Sequence, residues 1–369
     1  MPIYMDRHDV SKDVTAEVVA DLHQKDLKIQ HKFKCTGLTY WYDDNRKTAF
    51  CLYEAPNKEA IKEMHEKAHG QVPHQIIEVE PSIVESFLSR IEDPENSKNT
   101  ALNIINDPAF RTIMVVGLKG LSLHLQNSSQ FKSLLSNLDK NLLCGLIKYK
   151  GKLVNQTEEC FLVSFKSVSN AVHAAFDIRS KFKKSLEAGK EKSIYLKIGI
   201  SAGVPVTEKN SIFEDSIILA KRMCEFVKGE IILSSEVNDI YKSENSNTII
   251  KIENLCTLTM DDEFFLNHLM DYVDSSWTDV NLKVTDFSKP LGCSKSKLYH
   301  KIKSLSGNSP NTFIKEYRLS KALGLLNKTS GNISEIAFDT GFSSPSYFSK
   351  CFRKKYGNSP SAYLDSRIN

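Results

Sequence analysis

A segment near the C-terminus occurs twice. SKSKLYHKIKSLSGNSP begins at Ser294 and SPSYFSKCFRKKYGNSP at Ser344, and the seventeen positions align without a gap, fifty residues apart. Leu298 stands where Phe348 does and Ile302 where Phe352 does, so each copy carries apolar residues at the four-residue spacing of one helix face. Both copies close on Gly-Asn-Ser-Pro, at Gly307 and Gly357. A glycine turn precedes each, at Gly292-Cys293 and at Gly341-Phe342-Ser343. A short basic helix behind such a turn is the pattern of a helix-turn-helix unit. Aligned on the turn glycines, the leading helices are offset by 49 and the repeated helices by 50, so the second turn is one residue longer.

Charge is distributed unevenly around this repeat. Residues 283–369 hold 15 Lys and Arg against 5 Asp and Glu, whereas the rest of the chain holds 34 against 40. A basic end on an acidic body suits a polyanionic partner. With 369 residues, two or three domains are expected. No apolar run approaches a membrane span, and MPIYMDRHDV lacks the build of a signal peptide, so a cytoplasmic protein without membrane association is expected. The eight cysteines are scattered without a CxxC pair, which reads as reduced thiols.

The first 92 residues spell βαββαβ. Residues 2–8 alternate as a strand, and residues 14–29 carry a helical stripe of Val14, Val18, Leu22 and Ile29. TGLTYWYDDNRKTAFCLYEAP reads as a hairpin turning at Asp43-Asp44-Asn45. A helix runs from Asn57, its expected N-cap, to His69, stopped by Gly70, and residues 75–80 make a last strand. That order predicts a ferredoxin-like α+β domain, whose sheet often pairs with a second copy. Six histidines fall in this stretch: His8, His23, His31, His65, His69 and His74. His65 and His69 share a helix face, as two imidazoles on one metal require; a solvated face among Lys and Glu has the same spacing. MDRHD, LTYWYDD, FCLYEAP and MHEKAHG resemble the DUF4242 family, related to nickel-binding proteins, over about the first eighty residues. The resemblance implies a metal or small-ligand site near His8, His65 and His69; imidazole ligands suit Ni, Zn or Cu alike, and a transition metal such as Ni or Zn is expected.

A polar stretch over 93–108 reads as a linker, and residues 109–256 as an α/β domain. RTIMVVGLKGLS is a buried strand, 130–149 a helix, GKLVNQTEECFLVSF a hairpin and YLKIGISAGVPV a central strand. LKIGISAGVPV, FEDSIILAKR and KGEIILS resemble the class III adenylate/guanylate cyclase domain. Two-metal cyclisation needs two carboxylates to hold Mg²⁺ against the phosphates. The positions that the resemblance assigns to this chemistry hold Gly117 for the first metal Asp, Glu158-Glu159 for Gly-Asp, Asn155 for the purine-reading Lys and Ile218 for the Asn. Arg222 alone keeps its residue, so Glu159 and Arg222 would have to organise two metals between them. A cyclase-like domain without cyclase activity is expected, left to dimerise.

Residues 257–369 form an all-α region. Asp261 and Asp262 cap a helix with Phe265, Leu269 and Val273 inward. VTDFSKPL is the leading helix of the first unit, with Pro290 awkward at its end. Ser294 caps the recognition helix Lys295–Ser306; a linker helix follows Pro310 and buries Phe313, Tyr317, Ala322 and Leu326. In the second unit Ile333–Ala337 leads, and Pro345 sits at N1 of the helix running to Tyr356, where its missing N–H costs nothing. RLSKALGLLNKTSGNISEIAFDTGFSSPSYFSKCFRKKYGNSPSAY is similar to the signature of the AraC/XylS transcription regulators. The resemblance implies two recognition helices in adjacent major-groove segments about 34 Å apart on double-stranded promoter DNA. Ser296, Tyr299 and His300, then Ser346, Tyr347, Ser349 and Lys350, are the expected base readers. Lys295, Lys297, Lys301, Arg353, Lys354 and Lys355 are the expected phosphate contacts. Neither helix offers an arginine at a reading position, so the commonest contact to guanine is missing.

The expectation is a multi-domain, non-enzymatic transcription regulator. It would sense a metal or small ligand through its N-terminal domain, bind DNA as a homodimer and act with RNA polymerase. The competing readings are a nucleotide cyclase tethered to DNA and a metal-storage protein with a DNA module.

Overall fold

The computed structural model describes residues 1–94, 102–120, 129–157, 160–187, 194–245, 255–328 and 332–368. They divide into two compact units, one of residues 1–115, 149–172 and 200–220, the other of residues 116–148, 173–199 and 221–369.

In the first unit β1 (Ile3–Asp9), α1 (Ala16–Ile29), β2 (Thr36–Asp43), β3 (Thr48–Glu54), α2 (Lys58–Ala68) and β4 (Gln75–Val79) follow the expected ferredoxin-like order. The sheet runs β2-β3-β1-β4, every neighbour antiparallel. Strand period two sends Tyr4, Tyr40, Tyr42, Cys51 and Tyr53 to one side, where Val19, Ala20, Ile61 and Met64 of the helices meet them. Asp6 and His8 follow Tyr4 at the same period and so belong to that side. The opposite face, with Met5, Trp41, Phe50 and Leu52, is equally buried. It is therefore not open for a second copy, as a bare ferredoxin-like sheet would be.

Three features differ from the sequence reading here. Helix α1 buries Val19, Ala20, His23 and Asp26, while Val18 is exposed. The apolar stripe pointed elsewhere because two of the buried positions are polar. A further helix, α3 (Pro81–Leu88), follows β4. It ends on Ser89 in the left-handed conformation, whose N–H donates to the Glu85 carbonyl, and its last carbonyls, of Phe87 and Leu88, accept from the buried Arg111 guanidinium. The described part of the expected linker lies against β2: the Tyr40 hydroxyl donates to the Asn103 carbonyl, and Tyr42 N–H donates to that of Asp107.

A six-stranded sheet holds the remaining strands. In chain order the elements are β5 (Arg111–Lys119), α4 (Ser129–Tyr149), β6 (Lys152–Gln156), β7 (Cys160–Phe165), α5 (Val168–Glu187), β8 (Tyr195–Gly203), α6 (Glu214–Phe226), β9 (Ile231–Leu233), α7 (Ser235–Glu244) and β10 (Leu255–Thr257). The sheet order is β10-β9-β8-β5-β7-β6. Strands β5 and β8 are buried along most of their length, as interior strands require, β8 including the buried Lys197 and Ser201.

The C-terminal region contributes α8 (Met260–Ser276), α9 (Lys295–Ser306), α10 (Pro310–Lys328), α11 (Ile333–Asp339), α12 (Pro345–Tyr356) and α13 (Pro360–Ile368). Helix α8 is capped by Thr259 in a reciprocal box with Asp262, ahead of the expected Asp261 and Asp262. Its buried face is Leu266, Leu269, Met270 and Val273, with Phe265 only half-buried. The leading helix of the first helix-turn-helix shrinks to a single 3-10 turn, Val284–Phe287. Pro290 lacks the N–H a longer helix would need there. Helix α10 buries Phe313, Tyr317, Ala322 and Leu326, as its spacing predicts.

Candidate functional site

Two places concentrate chemistry. The first lies on the helix-covered side of the N-terminal sheet. Strand β1 supplies Asp6 and His8, β3 supplies Cys51 and Tyr53, α1 supplies His23 and Asp26, and α2 supplies His65 with His69 as its C-cap residue. His65 Nε2 lies 2.9 Å from Asp6 Oδ2, and His65 Nδ1 lies 3.2 Å from Asp26 Oδ2 and 3.3 Å from His69 Nε2. His69 Nε2 is 3.1 Å from Asp26 Oδ1, and His8 Nε2 is 3.6 Å from Asp6 Oδ1. The His8 and His65 rings sit edge-on with centroids 4.9 Å apart.

Donors bound to one ion at about 2.1 Å stand about 3.0–3.4 Å from one another. The three distances linking Asp26, His65 and His69 fall in that range. His8 Nε2 is buried and makes no hydrogen bond, with Asp6 Oδ1 3.6 Å away, so it is a polar atom that an ion would satisfy. Imidazoles, carboxylates and a thiol together suit a transition ion better than Mg²⁺ or Ca²⁺. The residues present therefore fit a metal, in the two groups Asp6, His8, Cys51 and Asp26, His65, His69.

Burial opposes charge throughout this cluster, and pairing decides the outcome. Burial works against the Asp6 carboxylate, but His8 and the His65 hydrogen bond outweigh it and hold the group well below the carboxylate range. Asp26 is likewise resisted by burial and pulled down to about 2 by His65 and His69. Burial also works against the His65 cation, yet Asp26 and Asp6 push it up to about 9. Cys51 is pushed well above its ordinary value by burial and the neighbouring Asp6. A metal ion would take the place of the His65 proton.

The sequence-expected His8, His65 and His69 thus converge. Asp6, Asp26, Cys51, Tyr53 and His23 were missed. Asp6 had a signal, two residues before His8 on one strand face; Asp26 had one, three residues after His23 on one helix face. His74 stands apart, accepting from the Asp9 N–H, and His31 is exposed.

The second place is the pair α9 and α12. Ser294 Oγ accepts from Lys297 N–H, and Ser344 Oγ from Tyr347 N–H, so both helices start at the expected serine. Gly307 and Gly357 end them with φ of +76° and +84°, a conformation that a side chain would strain. Leu298, Ile302 and Leu305 are buried under α9, and Phe348, Phe352 and Tyr356 under α12. The outer faces present Lys295, Ser296, Lys297, Tyr299 and His300, then Ser346, Tyr347, Lys350, Arg353 and Lys354, all exposed. Pro345 and Ser349 are half-buried. Two expected phosphate contacts are engaged elsewhere. Lys301 Nζ pairs with Asp262 at 2.5 Å, and Lys355 Nζ with Glu316 at 2.8 Å.

Of the positions drawn from the cyclase resemblance, Gly117 lies buried in β5, Asn155 is exposed on β6, and Ile218 and Arg222 are half-buried on α6. Glu158 and Glu159 lie outside the described residues.

Two capped helices, each behind a glycine turn and joined by α10, make a double helix-turn-helix. Residues 287–366 match the family described as helix-turn-helix domain, and residues 4–79 match the nickel responsive protein SCO4226-like family. The chain is similar to the lactose operon transcription activator of Staphylococcus xylosus, 28% identical over 168 residues, covering 42% of this chain and 60% of the activator. It is also similar to histidine kinase P4 of Formosa agariphila, 41% identical over 107 residues, which are 29% of this chain and 8% of that one. Among solved structures, SCO4226 of Streptomyces coelicolor is 31% identical over 21% of this chain and 94% of its own, with a TM-score of 0.20. The chain thus spans 8% and 60% of the two curated relatives. Among the described residues no helix is long and apolar enough to cross a membrane.

Proposed function

We propose that the chain is a sequence-specific, DNA-binding transcription regulator whose DNA affinity responds to a transition ion in its N-terminal domain. The observation that carries the first half is the outer face of α9 and α12. Ten exposed side chains there are polar or basic, and both helices are held rigid by a serine cap and a buried inner face. Ser296, Tyr299 and His300 on one helix, with Ser346, Tyr347, Ser349 and Lys350 on the other, would read bases. Lys295, Lys297, Arg353 and Lys354 would neutralise phosphates. The names of the relatives support this reading, since the S. xylosus protein is a transcription activator.

The second half rests on the buried group Asp26, His65 and His69, and on His8 Nε2, which is buried without a hydrogen bond. Ni or Zn held by Asp26, His65 and His69 would supply a positive charge joining α1 to the end of α2, and the second group, Asp6, His8 and Cys51, would join β1 to β3. Without it, the His65 proton balances the two carboxylates. The regulator would act as a cytoplasmic homodimer on paired sites and recruit RNA polymerase. A cyclase activity finds no support at Gly117 or Ile218, which offer neither carboxylate nor amide.

The test is a titration of Ni²⁺ and Zn²⁺ into full-length protein while its affinity for duplexes selected from a random pool is followed. A metal-dependent shift in affinity is expected, lost in His65→Ala together with bound metal. Unchanged metal content and an unchanged DNA response in that variant would remove the sensor assignment.

A further inference from the structure

Arg222 keeps the residue of the cyclase-type set, but its partners are not those of a nucleotide. Nη1 donates to the Asn267 carbonyl at 3.2 Å and to Asn267 Oδ1 at 2.8 Å, and Nη2 pairs with Asp271 Oδ1 at 2.5 Å. Asp274 Oδ2 lies 3.8 Å from the same nitrogen. Residues 267, 271 and 274 share one face of α8, so a single planar guanidinium grips two turns of that helix.

The segment after Arg222 continues the attachment. The Phe226 ring lies 5.6 Å from that of Phe313 and 5.7 Å from that of Tyr317, both on α10. The Tyr317 hydroxyl in turn donates to Asp274, closing the link between α10 and α8. Lys228 N–H donates at 2.7 Å to the Leu305 carbonyl, one of the last-turn carbonyls that α9 leaves without an intrahelical partner. Lys301 of α9 is tied to Asp262 of α8. Residues 222–228 therefore reach α8, α10 and the end of the first recognition helix. The second recognition helix has its own ties to α10, through Lys355 to Glu316 and Tyr356 to the Leu319 carbonyl.

Resting on the reading that this chain binds DNA, we propose that Arg222 is a positioning residue for the first reading helix. By fixing α8 it sets the orientation of α9, and so the base discrimination at one of the two DNA segments, with no such effect at the other. The arginine that the cyclase resemblance would set against a transition state serves here to aim a DNA reader.

The test uses full-length wild type, Arg222→Ala, Arg222→Lys and the exchanged pair Arg222→Asp with Asp271→Arg, each selecting duplexes from a random pool. Parallel selections with His300→Ala and Tyr347→Ala identify which segment each helix reads. Arg222→Ala should keep the segment read by α12 and lose about tenfold of the enrichment at the segment read by α9. Arg222→Lys, which has the charge but not the fork, should recover part of it, as should the exchanged pair. Equal loss at both segments, or none at either, overturns the proposal.

Wild type that selects no sequence would instead sink the DNA-regulator reading. The junction is then followed without DNA. The chain has two tryptophans, and Trp277 lies 6.1 Å from the Tyr317 ring. With 5-fluorotryptophan, Arg222→Ala should shift the Trp277 fluorine line and leave that of Trp41 in place. Both lines unmoved, or both moved, would rule out a local positioning role.

Discussion

Leu298, Ile302 and Leu305 seat the first recognition helix, whereas Phe348, Phe352 and Tyr356 seat the second. The second is packed by an aromatic series, with Phe342–Phe348 centroids at 5.1 Å, Phe348–Phe352 at 5.6 Å and Phe352–Tyr356 at 4.6 Å. It joins a buried cluster with Leu319, Ala322, Leu326, Ile336 and Ala337. The first has a leading element of one 3-10 turn and an aliphatic seat. It takes further support from polar ties, Lys301 to Asp262 and the Leu305 carbonyl to Lys228. A repeat can thus preserve a helix and its inward face while the attachment of each copy diverges. The second copy is held by its own core, and the first leans on α8 and the segment after α6.

The largest effect that would test this contrast is on the aromatic series. Phe352→Ala should cost about 3–5 kcal/mol and open α11–α13 to hydrogen exchange while α8 and α9 stay protected. Exchange rising equally in both recognition helices would break the comparison.

A smaller effect concerns the support of the first helix. Lys197 is buried, its Nζ 3.3 Å from the Glu225 carbonyl beside Phe226, and burial pulls its ammonium down to about 8 from 10.5. A lowered lysine pKa means that the folded state disfavours the charge. The penalty is full below about pH 8 and fades as pH rises from there to 10.5. Lys197→Met should therefore raise stability at pH 7 by about 1–3 kcal/mol, with the advantage gone by the upper end of that window. Chemical denaturation across that range gives the answer, and a pH-independent difference would contradict it.

The caps should behave alike in the two copies. Ser294→Ala and Ser344→Ala each remove one side-chain acceptor and should each cost about 1 kcal/mol in thermal unfolding. A marked inequality would mean that the attachments reach into the first turn. The smallest effect is electrostatic. Lys297→Ala should lower the slope of log affinity against log salt by about 1, whereas Lys301→Ala, already paired with Asp262, should leave it nearly unchanged.

The caps at Ser294 and Asn57, the stops at Gly70 and Gly307, and the start of α10 at Pro310 were all legible beforehand. Each is decided by groups within one turn of chain. The phase of α1 was not, because hydrophobicity ranks Val18 above Asp26, and the neighbouring His65, His69 and Tyr53 hydroxyl make burying Asp26 tolerable. Cap choice at α8 failed more narrowly: Asp262 takes part, but as the partner of Thr259.

By itself the sequence determined the two recognition helices, their inner and outer faces, and the βαββαβ order, since periodicity, caps and glycines act locally. Tertiary structure alone decided that Asp6 meets His65 across 59 residues of chain, and that Lys301 is neutralised where Lys297 is not. It decided as well that Arg222 grips α8 through Asn267, 45 residues on. Those outcomes turn on which charges become neighbours once water is excluded, and spacing along the chain carries no record of that.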